Sequence, residues 1–158
     1  MNRKFILFAL FSLTCLLFSP AANADDIRWG GRAGVFSDPT SAFVGGEALI
    51  NVINDSWFFN PNLEYVFVDN GNLWAFNFDF HYDLNVDAPV YFWVGGGPAI
   101  LHRTFDFPRN RDSQTDFGLD LLFGVGFPLH NSRVIPYVQP KVVLSDNSAF
   151  SLAFGLRF

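Results

Sequence analysis

The stretch Ala149 to Phe158, AFSLAFGLRF, decides how the chain is read. Phe150, Leu152, Phe154, Leu156 and Phe158 fall on one face of a strand. Ser151, Ala153, Gly155 and Arg157 fall on the other, because side chains alternate along a strand with period two. One face is large and apolar, the other small or charged. Which of the two points inward separates two kinds of barrel, and the other strands decide it.

The chain begins like an export leader. Arg3 and Lys4 form a positive n-region, Phe5 to Phe18 an apolar stretch, and Ala22-Asn23-Ala24 a small-x-small cleavage site. Residues 1–24 are therefore expected to be a secretory signal peptide, leaving residues 25–158 as one domain of 134 residues. Taking Arg3 and Lys4 from the ten basic residues leaves eight against fifteen acidic ones, a formal charge of −7. That balance argues against a nucleic-acid partner. Cys15 goes with the leader, so no disulfide is available to the rest. Charged residues make up 16% of the chain, too few to coat a soluble exterior well. Phe, with 21 residues, is unusually abundant.

After residue 25 the sequence shows short alternating segments divided by turn signals, the all-β pattern. The expected strands run about Trp29 to Phe36, Phe43 to Val52, Phe59 to Val68, Leu73 to Leu84, Val90 to Leu101, Asp116 to Phe127, Val134 to Leu144, and the closing stretch. Asn70-Gly71 is a strong hairpin signal. A longer polar segment, His102 to Thr115, reads as the one long loop. Strands of about 9–11 residues suffice to cross a bilayer when tilted. The fold class is therefore an all-β, eight-stranded, antiparallel up-and-down transmembrane β-barrel.

The other strands repeat the split of the last. Trp74, Phe76, Phe78, Phe80 and Tyr82 oppose Asn77, Asp79, His81 and Asp83. Phe117, Leu119, Leu121, Phe123, Val125 and Phe127 oppose Gly118, Asp120, Leu122, Gly124 and Gly126. An eight-stranded barrel has an interior just wide enough for side chains or one small ligand. Rows of Phe would overfill it, so the aromatics are expected to face lipid. The inner faces then collect Arg32, Glu47, Glu64, Asp79, His81, Asp120, Gln139, Lys141 and Arg157. Three cations meet four carboxylates there, with pairing nearly complete if His81 carries a proton. A filled polar interior without an open pore follows. Pro136 and Pro140 cannot donate to a ladder, so bulges or irregular pairing are expected there. Gly95-Gly96-Gly97-Pro98 is a second candidate bulge. In the fifth strand Tyr91 and Trp93 compete with Phe92 and Val94 for the lipid face. Trp29, Trp57, Tyr91 and Trp93 at one end, with Trp74 at the other, look like interfacial girdles.

No local pattern supports catalysis, a cofactor or a metal site. His81 reads as a structural member of the inner network, and His102 and His130 should lie on opposite membrane sides. Arg103, Phe105, Phe107, Arg109 and Arg111 make the long segment a candidate contact loop, for outer-leaflet phosphates or a partner.

The chain resembles the small eight-stranded bacterial outer-membrane barrels of the outer-membrane protein A and X and opacity-protein type, members of the porin-like superfamily. The resemblance implies a Gram-negative outer-membrane location, with lipid and lipopolysaccharide around the barrel. It also implies insertion by the barrel-assembly machinery through a signal in the last strand, whose positions Ser151, Ala153, Leu156 and Phe158 fit. Ala153 stands where that signal has Gly. Three functions remain open: a non-enzymatic structural or surface-contact barrel, a membrane-embedded lipid A-modifying acyl hydrolase or transferase, and a soluble periplasmic ligand-binding barrel. No specific protein partner is implied.

Overall fold

The structure is a computed structural model and describes residues 27–158 apart from 39, 54, 70, 108 and 109. The expected leader, residues 1–24, lies outside the described residues. Eight strands follow one another: β1 Ile27–Ser37, β2 Thr40–Asn51, β3 Trp57–Val66, β4 Gly71–Leu84, β5 Tyr91–Phe107, β6 Asn110–Gly126, β7 Ile135–Leu144 and β8 Ala149–Arg157. Each pairs antiparallel with its neighbour in sequence, and β8 closes on β1. The expected all-β up-and-down barrel is what forms. Both ends of the described chain and the connections after β2, β4 and β6 lie at one rim, the terminal end. The connections after β1, β3, β5 and β7 lie at the other, the hairpin end.

The register fixes the barrel's shape. From Ile27 the paired residues run through Ile50, Phe59, Phe80, Gly96, Leu121 and Val142 to Phe150. The β8–β1 ladder includes Phe36↔Ser151, and Phe150 N donates to Ser37 Oγ at 2.8 Å, one step further on. One circuit therefore returns from residue 27 to residue 37, a shear of ten residues. With about 3.3 Å per residue and 4.8 Å between strands, that sets a tilt of about 40°.

Three prolines each remove a rung without shifting this register. Opposite Pro98 the β4–β5 ladder breaks between Asn77↔Ala99 and Phe80↔Gly96, which are in phase. Opposite Pro140 the β6–β7 ladder breaks between Leu122↔Lys141 and Val125↔Val138, again in phase. Pro61 does the same to β2–β3. The expected irregular pairing is present at Pro140, but neither it nor Gly95–Pro98 forms a bulge. A proline lacks only the N–H, so the count of residues along the strand is unchanged.

The largest departure from expectation is at His102–Thr115. It is no loop. β5 and β6 continue through it as a paired hairpin as far as Phe107↔Asn110. Beyond the apolar band these strands are largely polar on both faces, so hydrophobic alternation does not mark them.

The two faces divide as expected. Phe76, Phe78, Phe80, Tyr82, Leu119, Leu121, Phe123, Phe150, Phe154 and Leu156 are exposed on the outside. Arg32, Glu64, Asp79, His81, Asp120, Gln139, Lys141 and Arg157 are buried inside. In β5 the ambiguity resolves with Trp93 fully buried, while Val94 is exposed. Tyr91 packs inward against Trp93, so these two aromatics do not belong to an outer girdle. Trp29 and Trp57 do remain outside, at 59% and 38% exposure.

Candidate functional site

The interior has three tiers. The middle tier is a chain of ion pairs contributed by six strands. Arg157 Nε on β8 donates to Glu47 Oε1 on β2 at 2.7 Å. Glu47 Oε2 lies 3.5 Å from Arg32 Nη1 on β1, and Arg32 Nε lies 3.2 Å from Glu64 Oε1 on β3. Lys141 Nζ on β7 joins Glu64 Oε2 at 3.5 Å to Asp120 Oδ2 on β6 at 3.1 Å. Asparagines complete the tier. Asn60 Nδ2 donates to Glu47 Oε2 at 3.2 Å and to the Ala48 carbonyl at 2.9 Å. Asn62 Nδ2 donates to Asp79 Oδ2 at 2.9 Å. Asn77 donates to Asn62 Oδ1 at 2.7 Å; with its amide reversed it donates to Asp120 and accepts from Lys141, both at 3.1 Å. All nine residues expected in the network are buried, and eight of them, all but His81, join this tier or its neighbour through hydrogen bonds or ion pairs. Charges buried this deeply require such pairing, because removing one partner leaves the other uncompensated.

His81 does not fill the role that charge counting assigned to it. Neither ring nitrogen has a hydrogen-bond partner among the described residues. Its ring instead stacks on Trp93, with centroids 6.0 Å apart and planes 21° apart. Asp79, two residues before it on the same face of β4, is held by Asn62.

The second tier, toward the terminal end, is aromatic. The Arg157 guanidinium lies 4.6 Å from the Trp93 ring and 4.4 Å from the Tyr137 ring, and Nη1 donates to Tyr91 Oη at 3.4 Å. Trp93 Nε1 donates to Gln139 Oε1 at 3.1 Å. Three glycines make room for these rings. A Cβ at Gly124 would overlap the Trp93 indole, one at Gly126 the Tyr91 ring, and one at Gly155 the Tyr137 ring. Each glycine is the cross-strand partner of the ring it accommodates: Trp93↔Gly124, Tyr91↔Gly126 and Tyr137↔Gly155. Reading β5 alone misses this box, since both of its faces are apolar there. The signal lay in the neighbouring strands, where glycines recur on the inner face.

The third tier, toward the hairpin end, is apolar. Phe36, Phe43, Val66, Leu73, Leu101 and Val143 pack together with several alanines. The expectation of a polar interior throughout is therefore corrected: the lumen is polar only in its middle and is closed by rings at one end and by aliphatic and phenyl groups at the other. Above this plug a shallow depression is lined by Asp38, Arg103, Asp116, Ser145 and Asn147.

The contact-loop residues occupy the protruding hairpin. Arg103 lies 5.9 Å from the Phe105 ring. Arg109 lies outside the described residues, as do the side chains of Phe107 and Arg111. His102 Nδ1 sits 2.9 Å from Thr115 Oγ1 on the outward face. His130 lies in the terminal-end turn closed by Ser132 N to Leu129 O, where Asn131 takes a φ of 61°. The two histidines are at opposite rims, as expected. Of the last-strand signal, Ser151 and Ala153 are buried inside, while Leu156 and Phe158 are exposed outside.

The same architecture occurs in solved structures. The N-terminal β-barrel domain of Pseudomonas aeruginosa OprF superposes with a TM-score of 0.69 at 12% identity, covering 84% of this chain and 95% of that one. Neisserial surface protein A gives 0.65 at 16% identity, covering 83% and 94%. Ail, the attachment invasion locus protein of Yersinia pestis, gives 0.59 at 14% identity, covering 84% and 96%. The chain thus has the fold of the small eight-stranded outer-membrane barrels. No protein-family model matches its sequence, and no curated protein matches it either.

Proposed function

We propose that this chain is an integral barrel of a bacterial outer membrane, exported by a cleaved leader, with a sealed interior and a non-enzymatic, structural or surface-contact role. The observation that carries the reading is the inversion of the two faces. Large aromatic and aliphatic side chains cover the outside, and the ion pairs are inside. Water would oppose that arrangement, and a hydrocarbon layer stabilises it. Lipid and lipopolysaccharide are then the natural surroundings, and β8 the segment that the assembly machinery would read. Contact with a partner falls to the β5–β6 hairpin, whose two strands of 17 residues are the longest in the barrel.

The test is membrane fractionation combined with gel mobility before and after heating in detergent. A heat-modifiable band in the outer-membrane fraction is expected; a folded product in the soluble periplasm would sink the proposal. Lipid A mass spectra with and without the protein check the non-enzymatic part, and an altered acyl pattern would overturn it.

A further inference from the structure

We propose that the barrel opens first and closes last at the seam between β8 and β1, and that the Arg157–Glu47 ion pair is the latch across it. Every other pair of neighbouring strands is consecutive in sequence, so each is tethered by the connection between its two members. β1 and β8 come from opposite ends of the barrel's sequence, and no turn joins them. Closing this seam brings together the most distant strands of the chain, at a cost in chain entropy that only their own contacts offset.

Side chains facing one another contribute little there. In six of the seven seam pairs one member is Gly, Ala or Ser, and Val35↔Leu152 alone sets two larger residues opposite each other. Cross-strand side-chain pairs stabilise a ladder, and glycine weakens a strand. The β3–β4 ladder shows the contrast. Trp57 faces Tyr82, Phe59 faces Phe80 and Tyr65 faces Trp74, with ring centroids 5.0, 5.1 and 4.9 Å apart.

One side chain bridges the joint. Arg157 on β8 and Glu47 on β2 are both cross-strand partners of Gly30 on β1. The guanidinium and the carboxylate therefore meet over a glycine. A Cβ at Gly30 would lie 2.8 Å from Glu47 Oε1 and 2.9 Å from Glu47 Cγ, closer than ordinary contact. The missing side chain is what lets the 2.7 Å bond from Arg157 Nε to Glu47 Oε1 reach across β1. Arg157 Nη2 adds a second bond, to Glu47 Oε2 at 3.4 Å, so the pair is two-pronged. Among the described residues no other ion pair crosses this seam. The Trp93 and Tyr137 rings on β5 and β7 seat the same guanidinium, so Arg157 holds strands on both sides of the joint.

The test is backbone amide exchange of the full barrel refolded in detergent micelles, read residue by residue by NMR. Trp29 and Phe158 exchange hydrogen bonds with each other, so Gly31, Ala33 and Val35 on β1 and Leu152, Phe154 and Leu156 on β8 turn their amides into the seam. In the native barrel these six are expected to exchange about tenfold faster than the amides bonded between β3 and β4. Arg157→Gln is expected to speed them about a further tenfold, while the β3–β4 amides stay within about twofold. Glu47→Gln keeps the side chain's size and leaves Arg32 paired with Glu64. It should give the same pattern, and it carries the test if Arg157→Gln fails to fold. Asp120→Asn weakens an equally buried ion pair away from the joint, that with Lys141, and should leave the six within about twofold. A native seam that exchanges no faster than β3–β4 would overturn the proposal. So would latch variants that leave the seam unchanged or speed all strands alike, or an equal rise at the seam in Asp120→Asn.

Discussion

Glu47 Oε1 accepts a 2.7 Å hydrogen bond from Arg157 Nε, joining β2 to β8 through the barrel's interior. The same carboxylate also faces Arg32 and Asn60. Glu47 is thus the group on which two guanidinium ions depend. Replacing it with alanine leaves both buried with fewer partners. The variant Glu47→Ala is expected to lose about 3–5 kcal/mol, the cost of breaking a buried pair. Urea unfolding of the barrel in lipid vesicles checks it, and an unchanged midpoint would show that the ion-pair chain contributes nothing.

The glycines beneath the rings make a sharper test of packing. Gly124→Ala and Gly155→Ala place a methyl group where the Trp93 and Tyr137 rings lie. Each should cost about 1–3 kcal/mol, as overpacking does. Gly31 has open space around it, so Gly31→Ala should fall within about 0.5 kcal/mol of the native chain. If all three variants unfold alike, the rings are not seated as described.

Leu121 stands on the outer surface, 52% exposed, midway along the part of β6 that pairs with β7. In a bilayer Leu121→Arg should cost about 2–4 kcal/mol, the penalty for a cation at the midplane of a barrel's lipid face. In a soluble barrel it would improve solubility at little cost. The folded fraction recovered in phosphatidylcholine vesicles decides between them.

Phe158 extends the β8–β1 seam by one pair. Its N–H donates to Trp29 O at 2.9 Å, and its carbonyl accepts from Trp29 N at 3.1 Å. Its side chain is exposed and contributes little to packing. Deleting Phe158 should therefore sharply lower the amount of barrel assembled in cells, while refolding of the purified chain into detergent micelles changes little. Normal assembly in cells would remove the reason to regard the last strand as an insertion signal.

How far the site was readable depended on whether a strand differs between its faces. β4 alternates aromatic with Asn, Asp and His, so Asp79 and His81 could be placed inside from period two alone. β5 reads Tyr91-Phe92-Trp93-Val94, apolar throughout, and gives no such sign. Its inward member, Trp93, was decided by the glycine facing it on β6. The hairpin at His102–Thr115 escaped for the related reason that its strands leave the apolar layer and lose the hydrophobic rhythm. His81 was placed on the correct face, but its stacking on Trp93 was not readable, because counting charges says nothing of which atoms meet.

What the sequence by itself determined is the strand number, the antiparallel order and the outward turn of the aromatic faces. These follow from local alternation and from the fact that eight strands cannot enclose so many phenyl rings. What only the tertiary structure decided is the shear of ten residues, the order of the ion-pair chain from Arg157 to Asp120, and the rings closing one end. Each depends on register between strands far apart in the chain. Register is a property of pairs, and no single strand carries it.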